Sequence, residues 1–317
     1  MRDGDGGPGR PEVGTLAAFI VLVVAAGGNA PAIRYVSCGS CELDPFWGAA
    51  MRFLLAGLIL AGIALGLRSG MPRGRALLGS VLFGALQFGA GFGLVYWGFV
   101  RAPAGLGQVL LALVPLLTFA LALAQRQETF RWEGLAGALL SVAGIAVVFV
   151  SGRDAGVPIA SMVAIVAGAL CWAEAFVVVR GFPRVHPAVQ NAVGMAVGAM
   201  VLLVLAVIFD EPLAVPVAAR TWWAQAYLVL AGSVGVFWLY VFVLRRWTAS
   251  VASYQMVLIP LVTVPVSAWL QDERVSVSFV LGSALVLAGV YLGTRRPSPG
   301  RAPREIAAEV GEGDGVA

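Results

Sequence analysis

Ten long apolar runs follow one another along the chain, separated by short connections that carry most of the polar residues. They cover Thr15–Ile33, Pro45–Leu67, Ala76–Phe99, Ala104–Ala124, Trp132–Val150, Pro158–Val179, Pro187–Phe209, Trp222–Leu244, Ala249–Leu270 and Ser276–Thr294. A helix that crosses a bilayer needs ~20 mostly apolar residues. Hydrocarbon offers no partner to a backbone N–H or C=O, so a spanning segment satisfies both internally. The pattern therefore predicts an all-α integral membrane protein with ten transmembrane helices. The first run is long for a signal peptide and others follow at once, so it reads as a span. A Gly/Pro-rich polar tail (1–13) precedes it, and the stretch 297–317, rich in Pro, Gly and Glu, reads as a disordered tail.

Composition supports the pattern. Only 12% of the 317 residues are charged and mean hydropathy is +0.89, whereas a soluble domain carries about 25% charged residues. A surface facing lipid needs few charges; one facing water cannot be built from so few. The net charge of +4 consequently says little about nucleic acid, and where the charges lie matters more. Basic residues concentrate in connections on the cytoplasmic side. With the N-terminus inside, fifteen Arg fall in the cytoplasm, five fall outside, and Arg52 alone lies within a span. Both termini are then cytoplasmic and the protein belongs in the cell membrane. Trp47, Trp97, Trp132, Trp222, Trp223, Trp247 and Trp269 lie at or near span ends, where indole rings favour the headgroup layer.

The chain also repeats itself. A shift of 145 residues carries Pro115 to Pro260, Glu128 to Glu273, Gly137 to Gly282, Gly144 to Gly289 and Asn29 to Glu174. Val-Pro-Leu-Leu-Thr at 114–118 becomes Ile-Pro-Leu-Val-Thr at 259–263. Each half, 14–152 and 153–296, holds five spans. An odd number makes the second half enter the membrane from the opposite side, which predicts inverted repeats related by a two-fold axis in the membrane plane.

Several residues in these spans carry a family resemblance. They are Gly28-Asn29-Ala30 late in the first run, Arg52-Phe53 in the second, Ala104–Pro115 opening the fourth, and Glu128 and Glu273 after the fourth and ninth. With ten spans in two five-helix halves, residues 14–296 resemble the drug/metabolite transporter superfamily, and within it the EamA-type members. The resemblance implies a solute carrier, often an exporter of amino acids or other metabolites.

Ionisable and polar residues inside spans are costly and mark candidate sites. Glu174, in the sixth run, is the one acidic residue well inside a span. It is read as a proton-coupling or cation-binding carboxylate, against a purely structural carboxyl. Asn29, its repeat partner, precedes Pro31. Proline removes a donor and frees a carbonyl, so a break is expected there, with Asn29 either binding solute or capping that carbonyl. Gln87, Tyr254 and Gln255 are further buried polar candidates. Arg52 is expected to snorkel to the outer surface, in preference to forming an anion site. Trp172 should point away from Glu174 as a packing or lipid-facing ring. Glu128 and Glu273 read as loop-ordering residues. Gly62/Gly66, Gly89/Gly93 and Gly194/Gly198 have the spacing that permits close helix packing.

Other chemistry lacks material. The chain has no Lys, which excludes a phosphate-binding loop ending in Gly-Lys-Ser/Thr and a lysine Schiff base. It has one His, His186, in a polar connection. Cys38 and Cys41 have disulfide-compatible spacing but are too few for zinc. No metal, cofactor, nucleic-acid partner or enzymatic constellation is expected. The expected partners are lipid, a small solute and, through Glu174, protons. The expected function is a secondary transporter of a small metabolite working by alternating access, with a passive channel or facilitator as the alternative.

Overall fold

A computed structural model describes residues 13–37, 41–128, 130, 132–244, 246, 255–271 and 276–294. Among them the chain is helical and contains no strand. Eight helices are long and apolar enough to cross a membrane: α1 Val13–Val36, α2 Pro45–Gly66, α3 Arg75–Phe99, α4 Ala104–Ala124, α5 Trp132–Arg153, α6 Ile159–Val179, α7 Pro187–Ile208 and α8 Ala219–Tyr240. Two shorter apolar helices follow, α9 Gln255–Gln271 and α10 Val277–Thr294. The ninth run was expected to begin at Ala249, and residues 247–254 lie outside the described residues, as do Cys38, Trp247, Tyr254 and Glu273. Of the expected anchors, Trp97, Trp132, Trp222, Trp223 and Trp269 present exposed rings at helix ends.

The helices pair according to the repeat. α5 packs along α10, α2 along α7 and α4 along α9, each a helix against its own repeat equivalent. The α5–α10 seam is the closest approach. A Cβ placed on Gly137 would lie 2.5 Å from Gly289 O and Gly293 N, and one on Gly144 would lie 2.8 Å from Gly282 O. Under the 145-residue shift Gly137 becomes Gly282 and Gly144 becomes Gly289, so these two contacts exchange. At the centre, Ser141 Oγ donates to the carbonyl of Val286, its own equivalent, at 3.3 Å. A contact between equivalent positions marks a local two-fold axis, and the antiparallel run of the two helices puts that axis across them. Only glycine lets two backbones approach so closely, and at Gly137 the three nearest atoms are all backbone, which cannot move aside as a side chain can.

The expected glycine pairs divide. Gly89 and Gly93 of α3 meet Val201 and Leu202, and Gly194 and Gly198 of α7 meet Phe88. Gly62 and Gly66 have no atom within 4 Å of a would-be Cβ and join no packed seam. Spacing alone does not say which face of α2 is covered.

α3 also packs along α6, and α1 along α8, two pairs that exchange under the same shift. Each carries a matching irregularity. α3 winds as a π-helix over Ala85–Gly91, and α8 does so over Leu230–Gly235, which is the same place in the second half. A π-turn carries one extra residue per turn and loosens the regular hydrogen-bond ladder, leaving carbonyls open to side chains from neighbouring helices.

Candidate functional site

The break in α1 falls where proline chemistry predicts. Gly28 interrupts the helix between Val13–Gly27 and Asn29–Val36. Pro31 has no N–H for the carbonyl of Gly27, and that carbonyl instead accepts a 2.7 Å hydrogen bond from Thr263 Oγ1 of α9. Asn29 is therefore not its cap. Asn29 Nδ2 turns to α8 and donates to the carbonyl of Gly232, inside the second π-turn, at 3.2 Å. A crevice of about 350 Å³ opens beside the break between α1, α8 and α9, lined by residues including Gly28, Pro31, Tyr227 and Gln271.

Arg52 departs from expectation. It does not snorkel: its side chain is folded into the interior and the residue is 1% exposed. Nε donates to Ser233 Oγ at 3.0 Å, one terminal nitrogen to Gly232 O at 3.1 Å and Asn29 Oδ1 at 3.4 Å, and the other to Tyr96 OH at 3.4 Å. Ser233 in turn donates to Leu228 O at 2.9 Å, which fixes its lone pairs toward the guanidinium. The rings of Phe53 and Phe92 lie 5.2 and 5.3 Å from Arg52 Cζ, within cation–π range. The cluster draws Arg52, Asn29 and Tyr96 from the first half and Gly232 and Ser233 from the second.

The equivalent place in the other half is built differently. The carbonyl of Gln87, the position that the shift maps onto Gly232, accepts from the indole N–H of Trp172 at 3.0 Å. Trp172 packs on Phe92 with ring centroids 4.6 Å apart. It is a packing aromatic that also caps the π-turn. Phe92 thus touches both clusters. Gln87 keeps its amide oxygen buried with no hydrogen-bond partner among the described residues.

The other candidates lie apart. Glu174 is not sealed in hydrocarbon: it is partly exposed near the end of α6, where Gln125 Nε2 lies 2.9 Å from both carboxylate oxygens. Beside it Arg180 and Glu128 form a 3.2 Å ion pair at the surface. Glu174 and Asn29, repeat partners in sequence, therefore serve separate clusters. Gln255 is buried at the start of α9, and Tyr254 lies outside the described residues. Among the described residues no group of three or more His, Cys, Asp or Glu gathers. The sequence reading missed Ser233, Tyr96, both π-turns and the interior placement of Arg52. The lone Arg inside a span was the one available signal.

The chain matches the EamA-like transporter family twice, over residues 14–150 and 159–295. It belongs to that family. The two EamA units coincide with the two sets of helices related by the shift. The chain is 27% identical over 263 residues to the uncharacterized inner membrane transporter YedA of Escherichia coli, covering 80% of this chain and 85% of the relative. It is 29% identical over 286 residues to a probable terminal-alkyne amino-acid exporter of Streptantibioticus cattleyicolor, covering 88% and 93%. A crystal structure at 19% identity shares the fold with a TM-score of 0.62, over 90% of this chain and all of the other. This EamA protein is a multi-pass cell-membrane transporter, and its family and relatives point away from an enzyme.

Proposed function

We propose that this EamA protein is a secondary transporter that moves a small metabolite by alternating access, with amino acids or related solutes as exported cargo. The observation that carries the reading is the exchange of the Gly137–Gly289 and Gly144–Gly282 contacts under one sequence shift. Two halves built on the same plan and related by a two-fold axis have two equivalent arrangements, one open to each side, and a carrier needs such a pair. The halves are 14–152 and 153–296, inverted in the membrane, with both tails cytoplasmic, an orientation that the Arg distribution supports. All ten helices span. The 17 and 18 described residues of α9 and α10 reach about 26 Å at 1.5 Å per residue, close to the ~30 Å of a hydrocarbon core. Glu174, near water at one end, is the proton-coupling group. Amino acid as the exported class is supported by the name of the Streptantibioticus relative.

The test is counterflow in proteoliposomes with a panel of L-amino acids. A carrier gives saturable uptake that is stimulated by the same solute on the far side. Flux that neither saturates nor responds to the far side would overturn the carrier in favour of a passive facilitator. A reporter active only outside, fused at residue 317, should stay silent; a strong signal would overturn the orientation.

A further inference from the structure

Arg52 is a full positive charge in the interior of the bundle, and every partner it has among the described residues is neutral. A guanidinium does not lose its proton to escape burial, as a lysine can. An intramembrane cation with no counter-charge is costly, and proteins retain one where it does something.

The four hydrogen bonds are unequal in a way that has direction. The edge formed by Nε and one terminal nitrogen is tied to α8 at 3.0 and 3.1 Å by Ser233 and Gly232. The other edge, between the two terminal nitrogens, holds only the two 3.4 Å contacts to Tyr96 OH and Asn29 Oδ1, at or beyond the long end of the useful range. Four contacts also leave one of the five guanidinium N–H groups unused, on the nitrogen that faces Tyr96. One edge of the fork is anchored and the other is held loosely, and the pair of terminal nitrogens is an edge that a carboxylate takes with two parallel bonds. Asn29, Phe92 and Trp172 around this side keep partial exposure, so approach is from there.

We infer that Arg52 is the anchor for a carboxylate on the transported solute. Tyr96 OH supplies a further donor, and Ser233 and Gly232 orient the guanidinium. One guanidinium balances one negative charge, which selects a monocarboxylate over a phosphate dianion, and the rings of Phe92 and Trp172 favour an apolar remainder. The inference rests on the transporter reading and names its substrate class.

The experiment compares L-amino acids and simple aromatic monocarboxylates with their uncharged-end amides on the purified full chain. Thermal stabilisation in detergent reads binding, and counterflow reads transport separately. Acids should bind roughly tenfold or more tightly than the matching amides, the usual penalty for losing a charge-assisted bidentate pair. Arg52→Gln should erase that discrimination. Should that variant fail to fold, Tyr96→Phe removes only a hydroxyl and should weaken the acids while leaving the amides unchanged. Acids and amides that bind alike, or acids that do not bind at all, overturn the anchor. Normal counterflow beside equal binding would overturn the anchor alone and leave the carrier standing. Selective acid binding without flux would uphold the anchor and overturn the carrier.

Discussion

Thr263 and Pro31 make one hydrogen-bond rung between them, and removing either should change what the other is worth. Pro31 deprives the Gly27 carbonyl of its helical donor, and Thr263 Oγ1 replaces that donor from α9 at 2.7 Å. The hydroxyl has a second acceptor at 3.1 Å, Ile259 O in its own helix, and the shorter contact takes most of its single hydrogen. Thr263 is 0% exposed, so water cannot step in when the hydroxyl is lost. Thr263→Val keeps the shape and leaves Gly27 O unsatisfied. A buried orphan acceptor costs about 1–3 kcal/mol, while hydrogen bonds inside membrane proteins average about 0.6 and reach about 1.7 kcal/mol. Since this bond is short and dry, the cost should fall near the upper membrane figure, about 1.5 kcal/mol.

The decisive background is Pro31→Ala. The rungs on either side, Gly28 N to Val24 O and Ala32 N to Gly28 O, are both 3.1 Å, so an N–H at position 31 meets a ladder already in register. With that N–H present the hydroxyl is redundant, and Thr263→Val should cost less than about 0.5 kcal/mol. Denaturant unfolding of the four purified proteins in one micelle system gives the cycle, with an expected coupling of about 1 kcal/mol. Additive effects, within about 0.3 kcal/mol, would refute the claim that Thr263 serves the carbonyl that Pro31 frees.

Three other outcomes are expected. Gly137→Ala drives a Cβ to 2.5 Å from immovable backbone and should destabilise by about 1–3 kcal/mol, whereas Gly62→Ala, with open space around it, should stabilise by about 0.5–1 kcal/mol; equal unfolding midpoints would remove the seam. Glu174→Gln should abolish the response of transport to a pH gradient and spare solute exchange, and a mutant that still follows the gradient makes Glu174 structural. Glu211, in the connection after α7, accepts the N–H groups of Phe46 and Trp47 at 3.2 and 2.7 Å; burial raises its pKa above the ordinary 4.5 more than those bonds lower it, and Asp44 adds to the rise. The folded chain then holds that proton more tightly than the unfolded one, so its stabilisation is full below pH 4.5 and lost as pH climbs through the raised value. Parent stability relative to Glu211→Gln should increase as pH falls from neutral, and parallel pH profiles would contradict it.

Eight of the ten expected spans were legible in the sequence as helices long and apolar enough to cross a membrane, because lipid leaves the chain little choice of how to satisfy its backbone, and run length reports that constraint directly. The repeat was legible because Gly137, Gly144 and their equivalents keep one spacing, although what they do is visible only when α5 and α10 are seen face to face. Arg52 was misjudged for a physical reason. An Arg near a span end reads the same whether it reaches outward or folds inward, and the groups that hold it inside, Gly232 and Ser233, stand 180 and 181 residues away. The π-turns have no compositional mark, since Ala85–Gly91 and Leu230–Gly235 differ in sequence while agreeing in position. Glu174 lies on the helix expected of the sixth run but is partly exposed beside Gln125, just past the end of α4, a neighbour that run length does not report.

On the carrier reading proposed above, the symmetry of the scaffold and the asymmetry of its contents belong to the same mechanism. Under the shift that superposes the halves, Arg52 falls on Val197, Ser233 on Phe88 and Asn29 on Glu174. Both π-turns present a carbonyl, yet one meets an indole and the other meets an amide and a guanidinium. Two symmetric halves alone would make the two arrangements of the bundle equal in energy. On that carrier reading, Arg52, the one buried cation among the described residues, would remove that equality, because the equivalent positions Val197, Phe88 and Glu174 do not repeat its cluster. A ligand shifts such an equilibrium only by its difference in affinity for the two arrangements. On the reading proposed above, a carboxylate at Arg52 supplies that difference: it neutralises the charge in whichever arrangement opens the loosely held edge, and competes there with Tyr96 and Asn29 of the first half, while Ser233 and Gly232 keep hold from the second. The same bond that recognises the solute then sets the balance between the two states.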